Sequence, residues 1–302
     1  MHLNLPLGLT ARPLRSDEAE ATFRVLAADE RAALGRVEIE LADIVAEWQR
    51  PSFNLATSSV GVYDGEQLIA CADLTHHERG SAAVDPAYQR RGIGSALAGW
   101  MQATAASKGA TIVGSPVPEG SPADRLLTRL GYHVRWTSWV LRVPPGREIP
   151  HRQLPTGYRI REAAPSEYAA AHEVVEDAFL EWSRRERESF ADFAAEIIGR
   201  PGFAPWQFRI VLAPDDTVAA VATVALVPET GEAYVSRLAT RADQRGRGLA
   251  QCLLIDVFAA AGAHGATASG LSTDSRTGAL SLYQKVGMEV TDVWLHRAIH
   301  LP

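Results

Sequence analysis

Arg245-Gly246-Arg247-Gly248-Leu249-Ala250 is the stretch on which the fold of this chain turns. Upstream, Ala233-Tyr234-Val235 followed by Leu238 and Ala239 reads as an apolar strand. Downstream, Leu249, Leu253 and Val257 recur at helical spacing. A strand, a glycine-rich turn and a helix start therefore follow in order. Glycines let the backbone come close to a ligand, and the first turn of a helix carries N–H groups without intrahelical partners at the positive end of its dipole. That combination is an anion site suited to a phosphate. A P-loop would need Gly-Lys-Ser/Thr at the helix start and a dinucleotide fingerprint would need G-x-G-x-x-G, and neither is present.

The same pattern stands earlier in the chain. Gln89-Arg90-Arg91-Gly92-Ile93-Gly94 precedes a run with Ile93, Leu97 and Met101 on one helical face. Gly92 and Gly248 are 156 residues apart (248 − 92), as are Leu97 and Leu253, and Gly131 and Gly287. A turn that recurs with its downstream context marks an internal duplication.

On these residues the sequence resembles the GNAT superfamily of acyl-CoA-dependent N-acyltransferases, as a tandem member with two such domains. The segment Ala279-Leu280-Ser281-Leu282-Tyr283-Gln284-Lys285-Val286-Gly287-Met288 is similar to a second pattern of that family. The looser likeness of Val174 to Trp182 and of Pro201 to Trp206 is to tandem GNAT proteins related to mycothiol synthase. The resemblance implies a duplicated α/β fold, with a mixed, mostly antiparallel sheet and helices on both faces in each half. It implies acetyl-CoA as co-substrate, with no metal, and N-acetylation of a small primary amine. An acyl-CoA sensor without turnover, and an acetyltransferase of protein lysines or N-termini, are the alternatives. A pocket closed by the Trp182 and Trp206 regions would favour a small acceptor, and an open acidic groove a peptide.

The cofactor residues that the resemblance implies are Leu238, Thr240, Arg245, Gly246, Arg247, Gly248, Leu249, Ala250 and Ser275 in the second half. In the first half they are Val84, Gln89, Arg90, Arg91, Gly92, Ile93 and Gly94. Tyr283 is implied as the acid that protonates the leaving thiolate, since a phenol is close in acidity to a thiol. Glu232 is a candidate base. Leu127 occupies the position equivalent to Tyr283 (283 − 156) and has no proton to give. The first half, 1–145, is therefore expected to be degenerate and the second, 156–302, catalytic. Ser275, beside Asp274, stands where the family often has asparagine.

Bulk properties agree with this reading. The 302 residues suit two domains, and 46% hydrophobic with 22% charged residues is ordinary for a globular protein. A net charge of −6 argues against nucleic acid as a partner. Cys71 and Cys252 are too few for a disulfide framework, and His264, His296 and His300 lack metal-ligand spacing. Met1 to Pro6 lacks the features of a signal peptide and no apolar run is long enough for a bilayer, so a cytoplasmic protein without a membrane partner is expected. Homodimer formation is left open.

Along the chain, Leu9 to Arg15 reads as a strand and Ser16-Asp17-Glu18 as the start of a helix to Leu34. Gly35 to Phe53 is expected to be partly helical. Asp64-Gly65 and Pro214-Asp215-Asp216 are hairpin turns, and the Pro-rich segment 143–155 is a linker. His133 to Val143 is read as the closing strand of the first half. Glu173, Glu176, Asp177 and Glu181 read as a solvated helix face, and Phe179 and Phe193 as packing residues.

Overall fold

The computed structural model describes residues 3–147, 149–227 and 230–302. Met1, His2 and residue 148 of the expected linker lie outside them. The chain divides into two compact units, one of residues 1–137 with 293–302 and the other of residues 138–292.

The first unit contains strand β1 (Leu9–Arg12), helices α1 (Ala19–Leu34), α2 (Leu41–Trp48) and α3 (Leu55–Ser58), and strands β2 (Ser59–Asp64), β3 (Gln67–Thr75) and β4 (Arg79–Val84). Helix α4 (Ile93–Ser107), strand β5 (Ile112–Pro118), helix α5 (Pro122–Arg129) and the start of β6 (His133–Arg142) follow. Neighbouring strands from β1 to β4 pair antiparallel, and β4 meets β5 in parallel.

The second unit holds β7 (Arg159–Glu162), α6 (Tyr168–Leu180), α7 (Phe190–Phe193), β8 (Phe208–Leu212), β9 (Val218–Val227) and β10 (Glu232–Thr240). It continues with α8 (Leu249–Ala263), β11 (Ala268–Asp274), α9 (Leu280–Lys285) and the start of β12 (Glu289–His300). Strands β7 to β10 pair antiparallel, and β10 with β11 in parallel.

Strand alternation explains why helices cover both faces of each sheet. Phe208, Ile210 and Leu212 of β8 pack with Val174 and Val175 of α6, whereas Val211 and Ala213 pack with Leu249 and Leu253 of α8. In the first unit Val60 and Val62 join Ile93 and Leu97 of α4, while Tyr63 and Leu68 join Val25 of α1.

The duplication is visible residue by residue. Helices Ile93–Ser107 and Leu249–Ala263, strands Ile112–Pro118 and Ala268–Asp274, and the short 3-10 turns Pro86–Tyr88 and Ala242–Gln244 all coincide at the offset read from the sequence.

The compact units differ from the linear halves 1–145 and 156–302 in one respect. Residues 138–142 of β6 pair with β11 in the second unit, and Trp294–His300 of β12 pair with β5 in the first. Each half gives its last strand segment to the sheet of the other unit. Strand β6 thus does not simply close the first half: a strand presents two edges, and nothing in its own alternation says which sheet will take them.

Candidate active site

In the second unit β10 and β11 are paired from Glu232 with Ala268 to Val235 with Leu271, and pairing stops there. Strand β10 continues along β9 to Thr240, with a bulge between Val235 and Arg237. The two parallel strands therefore open into a V beyond Leu271, and among the described residues the β10 edge facing that opening has no ladder partner. Ser236 sits at the bulge with its hydroxyl 2.8 Å from that of Thr223. A cavity of about 20 Å³ lies beside it, lined in part by Phe203, Gln207, Thr223 and Ser236. Its lining is mostly apolar but includes the side chains of Gln207, Thr223 and Ser236, and it is large enough for one water.

The V leads to the glycine-rich turn. Gly246 and Gly248 have φ of 76° and 81°, and Gly248 caps the N-terminus of α8. Only glycine takes these angles without strain. Residues 245–247 of the turn are exposed, while the guanidinium of Arg152 lies against Gly248 at the start of the 15-residue helix. The first unit repeats the arrangement with Gly92 at 89° capping α4. Its Arg90 takes φ of 61° where the second turn has Gly246.

The first residue of each turn has an internal role that sequence alone did not reveal. Nε of Arg245 donates to the carbonyl of Thr240 at 3.1 Å, and Nε2 of Gln89 donates to the carbonyl of Val84 at 3.2 Å. These are equivalent positions, so a side-chain donor ties the turn back to the end of its strand. Each also bonds an acid from a packed helix or its end: Arg245 holds Glu181 at 2.6 and 2.8 Å, and Gln89 holds Asp29 at 2.9 Å. Arg91 donates to the carbonyl of Ala87 at 3.0 Å and lies over the ring of Tyr88. Gly94 brings α4 against Leu126, since an added Cβ would come within 2.8 Å of that side chain. Leu249 and Ile93 are buried helix-start anchors.

Tyr283 is 8% exposed and packs in one cluster with Val235, Leu254, Val257 and Leu271, at the root of the V. Burial pushes its phenol up to about 12, so it is neutral and proton-bearing near neutral pH. Leu127 is buried in the corresponding cluster of the first unit.

Glu232 is not brought together with Tyr283. Alternation along β10 puts it on the face opposite Ala233 and Val235, which pack with Tyr283. Both of its oxygens are engaged by Arg142, at 2.9 and 3.1 Å. Asp274 turns to Arg276, whose guanidinium covers Trp182, while Trp206 stacks on His264. Thr240 lies at the open end of β10 with a buried hydroxyl lacking a hydrogen-bond partner. The helix face carrying Glu173, Glu176, Asp177 and Glu181 is not uniformly solvated: Glu176 is 1% exposed and bidentate with Arg185. Burial of Glu176 depends on the chain folding back at residues 185–188, which spacing on α6 does not report. Phe193 is fully buried and Phe179 packs against its cluster.

Residues 168–288 match the model of the Acetyltransferase (GNAT) family, and residues 59–140 that of the FR47-like proteins. Among curated proteins no sequence matches. A GCN5-related N-acetyltransferase from Sphaerobacter thermophilus has a TM-score of 0.75 at 23% identity, over 98% of this chain and 97% of its own. A tandem GNAT protein from the clavulanic acid biosynthesis pathway gives 0.73 at 16% identity, over 97% and 98%. N-myristoyltransferase of Saccharomyces cerevisiae, with bound myristoyl-CoA, gives 0.70 at 12%, over 98% and 79%. Acyl transfer from an acyl-CoA is the general activity that accompanies the matched family. Among the described residues no helix is long and apolar enough to cross a membrane. The chain thus has the fold of these tandem GNAT structures, with a segment at 168–288 that matches the acetyltransferase (GNAT) family and one at 59–140 that matches the FR47-like proteins.

Proposed function

We propose that the second unit transfers an acetyl group from acetyl-CoA to the primary amine of a small molecule. The observation that carries this reading is the V between β10 and β11, with the glycine turn at its open end and Tyr283 at its root. In this reading the backbone N–H groups of residues 246–250 hold the pyrophosphate, and the unpaired edge of β10 from Leu238 to Thr240 lies along the pantetheine arm. Arg245 acts by fixing the turn, while Arg247 and Ser275 flank the cofactor. The first unit keeps the turn Gln89 to Gly94 but has Leu127 where a donor is needed. We assign it a non-catalytic role in a cytoplasmic enzyme.

The neutral amine nitrogen forms a bond to the acetyl carbonyl carbon, and the carbon–sulfur bond breaks. Tyr283 gives its proton to the departing thiolate. The proton lost by the attacking nitrogen goes to water in the small cavity beside Ser236 and Thr223 and thence to solvent, which restores the phenol. Glu232, paired to Arg142 on the other face, positions β10 in this reading and does not serve as base.

The test is acetyl-CoA-dependent thiol release across a panel of small amines. Removing a general acid typically costs about 10²–10⁴-fold. Tyr283→Phe should therefore lower kcat by about 100-fold while leaving acetyl-CoA affinity within about threefold. An unchanged kcat would remove Tyr283 from the mechanism, and thiol release only with peptide amines would move the acceptor to protein.

A further inference from the structure

The buried face of α6 carries a group of side chains that acyl transfer does not use. His172 and Glu176 are one helical turn apart and 2% and 1% exposed. The chain returns at Glu188, whose backbone N–H donates to Glu176 at 2.8 Å. One ligand atom from each of His172, Glu176 and Glu188 lies within 4.8 Å of the other two. Among the described residues neither ring nitrogen of His172 has a hydrogen-bond partner, although both are buried, a condition that folded proteins rarely leave uncompensated. The ring is packed against Phe190 and Phe193, at centroid distances of 5.8 and 5.0 Å. Apolar packing therefore holds the imidazole in place but leaves its polar atoms unmatched.

We propose that His172, Glu176 and Glu188 bind a divalent transition-metal ion of the zinc class. One imidazole and two carboxylates are a donor set such an ion takes, with water completing a tetrahedron. The carboxylate of Glu173 is 3.6 Å from Nδ1, beyond hydrogen-bond length, so both ring nitrogens stay available to the ion. Arg237 and Arg185 are the competing cations: Arg237 lies beside Glu188 and Glu176, and Arg185 holds both oxygens of Glu176, at 2.5 and 2.8 Å. The Arg185 side chain is 23% exposed and reaches solvent, so it can leave Glu176 to the ion. Bound metal would tie α6 to the return segment before α7. Local spacing on α6 gives only two of the ligands, because Glu188 arrives through the intervening loop.

The test is Zn2+ binding by the metal-stripped full chain, followed by calorimetry, with Co2+ absorption as a check on ligation. The expected result is one ion per chain, affinity reduced about tenfold or more by both His172→Gln and Glu188→Gln, and affinity raised by Arg185→Gln. Glu188 is only partly buried, so its variant keeps the test informative if His172→Gln folds poorly. Absence of binding, binding that survives either ligand substitution, or binding not tightened by Arg185→Gln overturns the proposal. None of these readouts involves acetyl transfer.

Discussion

At the residue scale, two positions in the first unit show how side chains set local strain. Arg90 occupies the left-handed region that its equivalent, Gly246, occupies without a Cβ. A non-glycine residue there costs about 1–3 kcal/mol, and glycine's greater freedom in the unfolded chain returns part of it. Arg90→Gly should therefore raise stability by about 0.5–1 kcal/mol, measured by denaturant unfolding. Asp29 is held by Gln89 but mostly buried, and burial pushes its carboxyl up to about 6. A raised acid binds its proton more tightly folded than unfolded, so Asp29 reduces stability as pH rises through roughly 4–6, with the full penalty above that window. Asp29→Asn keeps an acceptor for Gln89. It should add on the order of 1–3 kcal/mol at pH 7 and nothing below about pH 4, by denaturation at both values. Equal gains at both pH values would contradict this assignment.

At the element scale, the turn into α8 depends on its tether as much as on its glycines. The hydrogen bond from Arg245 to the Thr240 carbonyl is a single contact, whose loss costs about 1 kcal/mol. The ion pair to Glu181 is about half exposed and contributes little beyond it. Arg245→Met should weaken acetyl-CoA about 5–10-fold by calorimetry. Arg245→Gln, which installs the donor found at position 89, should stay within about twofold of wild type, as should Glu181→Gln. If Arg245→Gln weakened binding as much as methionine, charge on the phosphate would be the role of Arg245 instead of the tether. The glycine turns and their offset were legible in the sequence because φ > 0 and close backbone approach leave glycine as the residue of choice. The tether was not, since its acceptor is a backbone carbonyl that carries no sequence signal.

At the scale of the whole molecule, the exchange of final strand segments has a direct consequence. Residues Trp294–His300 pair with Ile112–Pro118 and bury Leu295 and Ala298 in the first unit, where His296 stacks on Trp136 at 3.7 Å. Deleting residues 293–302 should cost the first unit an amount comparable with a domain's whole stability, on the order of 5 kcal/mol. Hydrogen exchange would then show β5 deprotected while Ala268–Asp274 stay protected. Loss of protection in the second unit first would show that the C-terminal segment serves that unit instead.

Taken alone, the sequence determined the duplication, the order of strands and helices, both glycine turns and the contrast between Tyr283 and Leu127. Each is written in local spacing: period 2 in strands, 3.6 in helices, and residue types that satisfy one backbone geometry. Tertiary structure alone decided where the last strand of each half pairs, which face Glu232 occupies relative to Tyr283, and that Glu176 is buried with His172 and Glu188. These are matters of which distant segments meet. Strand edges and carboxylates accept many partners, so pairing is chosen by the packing of the assembled chain and not by any stretch within it.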